Sequence, residues 1–210
     1  MTAACAISVI LPIILAGTLF GQETNTTQSV SIEFKTITIG PQQWMAENLN
    51  VSTFRNGEPI PEAKTKEAWL AAYKNERAAW CYYNNDSANG KKYGKLYNWY
   101  AVNDSRGLAP KGWHVPTDKE WQTLIAALGG EGAAFAKMKA STGFHALPGG
   151  ERWFEDAGFY KAGEIAFWWS ATSKDRWNAW YHAIHFGYSQ IGRDNGGMNT
   201  GFSVRCIKDY

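Results

Sequence analysis

Apolar and polar positions alternate from Val30 to Ile39, VSIEFKTITI, the two-residue period of a half-buried strand that stops at Gly40-Pro41. A second short strand is predicted over Gln43 to Leu49. The period then changes. In TKEAWLAAYKN, Thr65 to Asn75, the residues Trp69, Leu70 and Tyr73 recur at three- to four-residue spacing, so an amphipathic helix capped by Thr65 is expected. Asn84-Asn85-Asp86 and Asn89-Gly90 carry turn chemistry, and Leu96 to Val102 is apolar without a decisive period. The clearest pattern is PTDKEWQTLIAALG, Pro116 to Gly129. Thr117 and Glu120 form a capping box there, and Asp118 and Glu120 suit the positive end of the helix dipole. Trp121, Leu124, Ile125 and Leu128 make one apolar face, which Gly129-Gly130 terminates. Beyond it helical periodicity disappears. Phe144 to Trp153, Ala166 to Thr172, Trp177 to Phe186 and Phe202 to Ile207 read as short strands in long loops, with Gly149-Gly150 and Gly196-Gly197 as turns between strands. The fold class is therefore α+β: two main helices with irregular antiparallel β and long loops.

Ahead of the first strand lies AISVILPIILAGTLF, Ala6 to Phe20, uncharged and followed by a polar stretch. It has the form of a signal-peptide hydrophobic region, although no Lys or Arg precedes it. It falls short of the ~20 residues that a spanning helix needs and holds Pro12 in its middle, so no membrane span is expected after cleavage. The organisation is read as a signal peptide over 1–21, a short linker over 22–30 and one domain over 31–210, secreted or displayed at the cell surface. Cys81 and Cys206 are then the cysteines of the mature chain. In an oxidising compartment such a pair is expected to form a disulfide, the alternative being two buried free thiols.

Composition sharpens this picture in two ways. With 11 Trp, 10 Tyr and 10 Phe the chain has ample apolar ring surface for a core, which excludes disorder. A net charge of +2 argues against a nucleic-acid partner, which calls for a basic excess. The histidines His114, His145, His182 and His185 supply no metal motif: on a strand, His182 and His185 face opposite sides, and no paired-carboxylate pattern accompanies them. No metal or other cofactor is expected. Nucleophile-elbow, phosphate-loop and dinucleotide motifs are missing, and Glu155, Asp156 and Glu164 are a weak carboxylate set for glycosidic cleavage.

The informative rings cluster late, in FWWSATSKDRWNAWYHAIHFGY from Phe167 to Tyr188. Strand alternation places Trp168 and Trp169 on opposite faces, and Trp180 and Tyr181 likewise. Either one ring of each pair meets solvent and offers a stiff contact surface for a sugar face or a protein partner, or both faces of the strands are buried under aromatic layers. Asn178, Gln190, Arg193, Asn195 and Asn199 lie in the intervening segments and are candidate hydrogen-bonding partners for a ligand.

Six ordered segments carry a family resemblance: WMAENLNV (Trp44 to Val51), YGKLYNWYAV (Tyr93 to Val102), LAPKGWHVPTDKEW (Leu108 to Trp121), GFHALPGGER (Gly143 to Arg152), FWWSAT (Phe167 to Thr172) and GFSVRCIKD (Gly201 to Asp209). Together they resemble the Fibrobacter succinogenes major paralogous domain, over about 31–210. That resemblance implies an exported, often surface-attached protein of Fibrobacter or Bacteroidetes-type bacteria. More distantly the segments resemble the C-type-lectin-like fold of the formylglycine-generating family, which implies chain ends that lie close together and variable long loops. It does not carry over catalysis, since that family's chemistry uses two nearby cysteines.

The resulting expectation is a non-catalytic, lectin-like binding module recognising carbohydrate or a surface protein. Its predicted recognition residues are Trp168, Trp177, Asn178, Trp180, Tyr181, Arg193, Asn195 and Asn199. A purely structural or adhesive surface protein is the alternative, and an enzyme of the formylglycine-generating type a more remote one. Glu120 and Arg205 are also expected to place at least one ion pair in the core.

Overall fold

The computed structural model describes residues 33–210 except Thr142. The expected signal peptide, the linker and the start of the predicted first strand lie outside the described residues.

Two strands, β1 (Thr36–Ile39) and β2 (Gln42–Met45), form a hairpin around Gly40. Gly40 has φ +56°, and a Cβ there would sit 2.8 Å from the Ala127 Cβ, so turn geometry and close approach both demand glycine. The chain's last strand, β11 (Ile207–Lys208), lies between β2 and the short β5 (Trp113–His114). Met45 N donates to Cys206 O at 2.9 Å and Leu49 N to Val204 O at 2.8 Å, so the two ends of this unit are zipped together.

The helices show where local signals suffice. Helix α1 (Lys66–Lys74) starts at Thr65, whose hydroxyl accepts from Ala68 N. Helix α4 (Asp118–Ala127) has the full capping box, Thr117 N donating to Glu120 Oε2 at 2.8 Å. Three further helices appear: α2 (Ser87–Tyr93), α3 (Trp99–Val102) and α5 (Glu131–Lys139). The Asn89-Gly90 pair, read as a turn, is inside α2. Asp86 caps that helix, and Gly90 must lack a Cβ because one would lie 2.1 Å from the Tyr82 ring. Packing here overrides intrinsic propensity.

The central sheet has the order β10-β9-β8, built from β8 (Ile165–Ser173), β9 (Asn178–His185) and β10 (Gln190–Gly197). Small two-stranded sheets pair β3 (Trp80–Cys81) with β4 (Leu96–Tyr97), and β6 (Gly149–Arg152) with β7 (Phe159–Ala162). The fold is thus mixed α/β, with several small antiparallel sheets and few helices. Both glycine pairs read as turns belong to strands. Gly150 sits at φ +69° between the paired residues Gly149 and Glu151, and Gly196 is opposite Ala179.

Side chains of the central sheet alternate between two cores. Trp168, Ile184 and Ile191 face a cluster with Trp44, Trp121 and Phe144, whereas Phe167, Trp169 and Ala183 face Tyr97, Phe202 and Val204. Trp168 and Trp169 are therefore both buried, the second of the two arrangements the alternation allowed.

The expected disulfide is absent. Cys81 packs with Trp69 and Leu96, and Cys206 with the cluster around Tyr97, each thiol filling a different core as a small apolar side chain. Burial pushes both thiols up to about 12. Unfolding midpoints with and without a thiol reductant should therefore coincide. Peptide mapping after alkylation should find Cys81 and Cys206 unlabelled in the native protein and both labelled after denaturation.

Candidate functional site

The predicted recognition residues separate into three groups. Register places Trp180 opposite Asn195 and His182 opposite Arg193, so Trp180, Arg193 and Asn195 share one face of the sheet. Trp177 and Asn178 lie at the adjoining β8–β9 turn. Asp175 organises that turn, accepting from Trp177 N at 2.8 Å, Asn178 N at 2.9 Å and Asn178 Nδ2 at 3.1 Å. These bonds hold the Asp175 carboxyl below the usual carboxylate range and commit the Asn178 amide to the turn. Trp177 keeps 52% of its surface in water.

Tyr181 points to the other face, against Phe167, Trp169 and Phe202. Burial, then Asp194 and Glu151, push its phenol up to about 12. Trp168 and Asn199, expected at the recognition face, are instead core residues. The Trp168 indole donates to Asn48 Oδ1 at 2.8 Å, and Asn199 donates to Phe154 O while its own carbonyl accepts from Trp69 Nε1. The Asn side chain is short enough to bridge loops inside the protein, so its presence in a loop did not distinguish ligand contact from support.

Behind the exposed face stands Asp118, the first residue of α4. Its two oxygens take Arg193 Nε and Nη2, each at 2.8 Å, and Oδ1 also accepts from His182 Nε2 at 3.0 Å. Burial opposes its charge, but Arg193 and His182 outweigh this and keep the carboxyl ionised below its usual range. Arg193, held in this fork, lies 3.7 Å from the Trp180 ring centroid, with Lys174 at 5.6 Å. His182 stacks on Trp121 at 5.1 Å and is pushed down to about 4 by burial, so it is neutral and donates from Nε2. Its Nδ1 has no partner among the described residues.

A second feature escaped the sequence reading. A cavity of about 330 Å³ is lined by Glu47, Asn48, Lys91, Lys92, His145 and Arg205, among others. Asn48, Gly94, His145 and Arg205 come from four of the six segments that carry the resemblance. Arg205 is buried and bonds Asn48 Oδ1 through Nε at 3.1 Å and Nη2 at 2.7 Å, and Phe144 O through Nη1. Among the described residues it forms no ion pair. Glu120 does, with His114 Nε2 at 2.9 Å, but only half-buried, so the expected core ion pair is replaced by a buried guanidinium on neutral acceptors. Among the described residues no three His, Cys, Asp or Glu side chains gather as a metal site would require, and no helix is long and apolar enough to cross a membrane.

The family model described as the Fibrobacter succinogenes major domain matches residues 37–208. The chain belongs to that family. No curated protein and no solved structure matches it. In this member of the Fibrobacter succinogenes major domain family, both the β8–β9 turn and the cavity lie within the matched span.

Three buried or half-buried groups give the protein an opposed set of pH responses. Burial works against the His114 cation, but bonds to Glu120 and Asp209 raise its pKa above 6.5. Its contribution to stability is complete below 6.5 and lost as pH rises through the folded value. For His182, depressed to about 4, the unfolded chain holds the extra proton between about 4 and 6.5, so stability is lost as pH falls through that window. Glu151, whose Oε2 has no partner among the described residues, is raised by burial from 4.5 to about 7 and destabilises the fold as pH climbs between those values. Imidazole NMR should therefore show His182 titrating near 4 and His114 above its ordinary value. Glu151→Gln should be more stable than the native protein at pH 8 in urea denaturation, with the advantage shrinking as pH falls toward 4.5.

Proposed function

We propose that this family member is a non-catalytic binding module of lectin-like architecture, exported to the cell surface or medium, that holds a carbohydrate at the β8–β9 end of its central sheet. The observation that carries the reading is Trp177. Eight of the eleven indoles are buried and two are half-buried, whereas this one stands half in water on a turn fixed by Asp175. A stiff, exposed indole is suited to the apolar face of a sugar ring, and its low side-chain entropy limits the cost of ordering.

Neighbouring groups support the same use. Arg193 is locked between Asp118 and Trp180, so its unused donors are presented without a further ordering cost. Asn195 and Lys174 lie around the same ring and add polar contacts for hydroxyl groups. The non-catalytic reading is supported by the two thiols, which are buried in separate clusters and protonated at neutral pH, unlike a reactive cysteine pair. The pairing of Met45 and Leu49 with Cys206 and Val204, which ties the start of the described residues to their end, agrees with a lectin-like arrangement.

An array of neutral and acidic oligosaccharides provides the test. For the best-bound glycan, Trp177→Ala should weaken affinity by about tenfold or more, the scale of losing an aromatic anchor, and Trp180→Ala should weaken it less. Equal binding by native protein and both variants would exclude this face. Binding to surface proteins but to no glycan would replace the carbohydrate by a protein partner.

A further inference from the structure

Arg205 presents a physical problem that its own contacts, including the Phe144 and Trp168 rings at 4.2 and 5.8 Å, resolve only in part. The side chain is 1% exposed, and no carboxylate among the described residues lies within ion-pair distance of it, Glu47 acting on its charge only from farther away. Taking a cation out of water without a counter-charge costs several kcal/mol or lowers its pKa, and burial does push this guanidinium down to about 9. A guanidinium has five N–H donors. Nε and one N–H of Nη2 share Asn48 Oδ1, and one N–H of Nη1 serves Phe144 O, which leaves one donor on each terminal nitrogen.

Burial without a carboxylate is not enough to mark a site. Arg152 is equally buried and bonds the carbonyls of Ala157, Ala63 and Thr65, between the rings of Trp69 and Phe159. It acts as a staple between loops. Arg205 differs because it borders the 330 Å³ cavity, and because two further cations, Lys91 and Lys92, stand on the same wall with no acidic partner among the described residues. The one acid of the wall, Glu47, is bonded to Lys35 at 2.9 Å.

The wall is also held in shape. Asn48 takes Arg205 and the Trp168 indole on Oδ1 and donates from Nδ2 to Tyr93 O at 2.9 Å, tying three segments together. Gly94 has φ +77°, and a Cβ there would lie 2.8 Å from Leu49 O. His145, beside the carbonyl that Arg205 binds, is held at φ +51°.

We propose that this cavity is a binding site for a carboxylate carried on a ligand of monosaccharide size, with Arg205 as the buried counter-charge and Lys91 and Lys92 at the entrance. A planar carboxylate matches one free donor on each terminal nitrogen. A singly charged group balances the guanidinium, whereas a dianion would also meet Glu47. The volume is at the lower end of small-molecule sites and fits one sugar ring or a compact organic acid. The site is independent of the β8–β9 turn and of the reading built on it, because it uses none of those residues.

Calorimetric titration of the protein with glucuronate, acetate, inorganic phosphate and glucose tests the proposal. Glucuronate and acetate should bind and glucose should not. Glucuronate binding more tightly than acetate identifies a uronic acid, and equal affinities identify the carboxylate alone. Lys91→Gln/Lys92→Gln, a change confined to exposed side chains, should keep the unfolding midpoint and weaken carboxylate binding by about tenfold. Arg205→Met should abolish it, with circular dichroism checking the fold. In the Trp177→Ala variant carboxylate affinity should be unchanged, which separates this site from the glycan surface. No carboxylate binding, preference for phosphate, or full affinity in the double lysine variant would overturn the proposal.

Discussion

The fold depends on burying both faces of a three-stranded sheet under aromatic rings without stranding their polar N–H groups. An indole brings more apolar area to a core than any other side chain, but it carries a donor that costs about 1–3 kcal/mol if buried unpaired. This protein pairs those donors with acceptors far away in the chain. Trp99 reaches Ser170 O, Trp169 reaches Tyr97 O, Trp69 reaches Asn199 O and Trp80 reaches Ile60 O, all between 2.8 and 2.9 Å. Each bond fixes an irregular segment against the sheet at the point where the ring packs. Long loops thereby obtain the definition that short strands do not provide. Trp121, whose Nε1 is unpaired, lies at the centre of the other cluster, where Trp44 at 4.8 Å, Trp168 at 5.8 Å and His182 at 5.1 Å surround it with rings.

Polar side chains extend the same logic to charges. Arg152 and Arg205 each join several segments through backbone or amide acceptors, using the guanidinium's many fixed donors. Asp118 does so from the start of α4, where the helix dipole, Arg193 and His182 all favour its charge. The half-exposed face of the sheet is therefore anchored to the helix behind it. Arg193 cannot leave Trp180 without also giving up a two-bond fork, so this part of the surface is rigid before any ligand arrives.

The sequence made visible those elements whose signals are local. The capping box of α4 and the Thr65 cap of α1 need only neighbouring residues, and both helices appear as expected. Strands β8 and β9 were also legible from their alternation. Helix α2 was not, because Asn89-Gly90, poor helix formers and strong turn formers, sit at the centre of SANGKKY, and the helix is held by Asp86 and by the fit of Gly90 against Tyr82. Strand β10 reads QIGRDNGG, a run of turn formers that becomes a strand only by pairing with β9 along its whole length. Helix α5 buries little beyond Ala134 and Met138, too few positions to establish a period. The cavity was hidden for a related reason. Asn48, Lys91, His145 and Arg205 are spread over most of the chain and share no spacing, and only the folded chain, with β2 closed against β11 and Asn48 bonded to Tyr93 at the end of α2, brings them to one wall.

That closure also explains why the two candidate binding regions differ in kind. At the β8–β9 turn Trp177 extends toward solvent, so substitution there alters the surface without disturbing a core. At the cavity, Asn48 and Arg205 simultaneously hold Trp168, Phe144 and Tyr93, all of them core residues. A change at either residue must therefore act on folding as well as on binding. Under the proposed function, variation is far less constrained at the hairpin, while the cavity is coupled to the packing of the sheet itself. Lys91 and Lys92, exposed at the end of α2, are the exception: they belong to the cavity wall and to no core cluster. Charge at the entrance can thus change independently of the buried guanidinium, so in the proposed site the lysines would tune affinity while Arg205 would set the requirement for an anion.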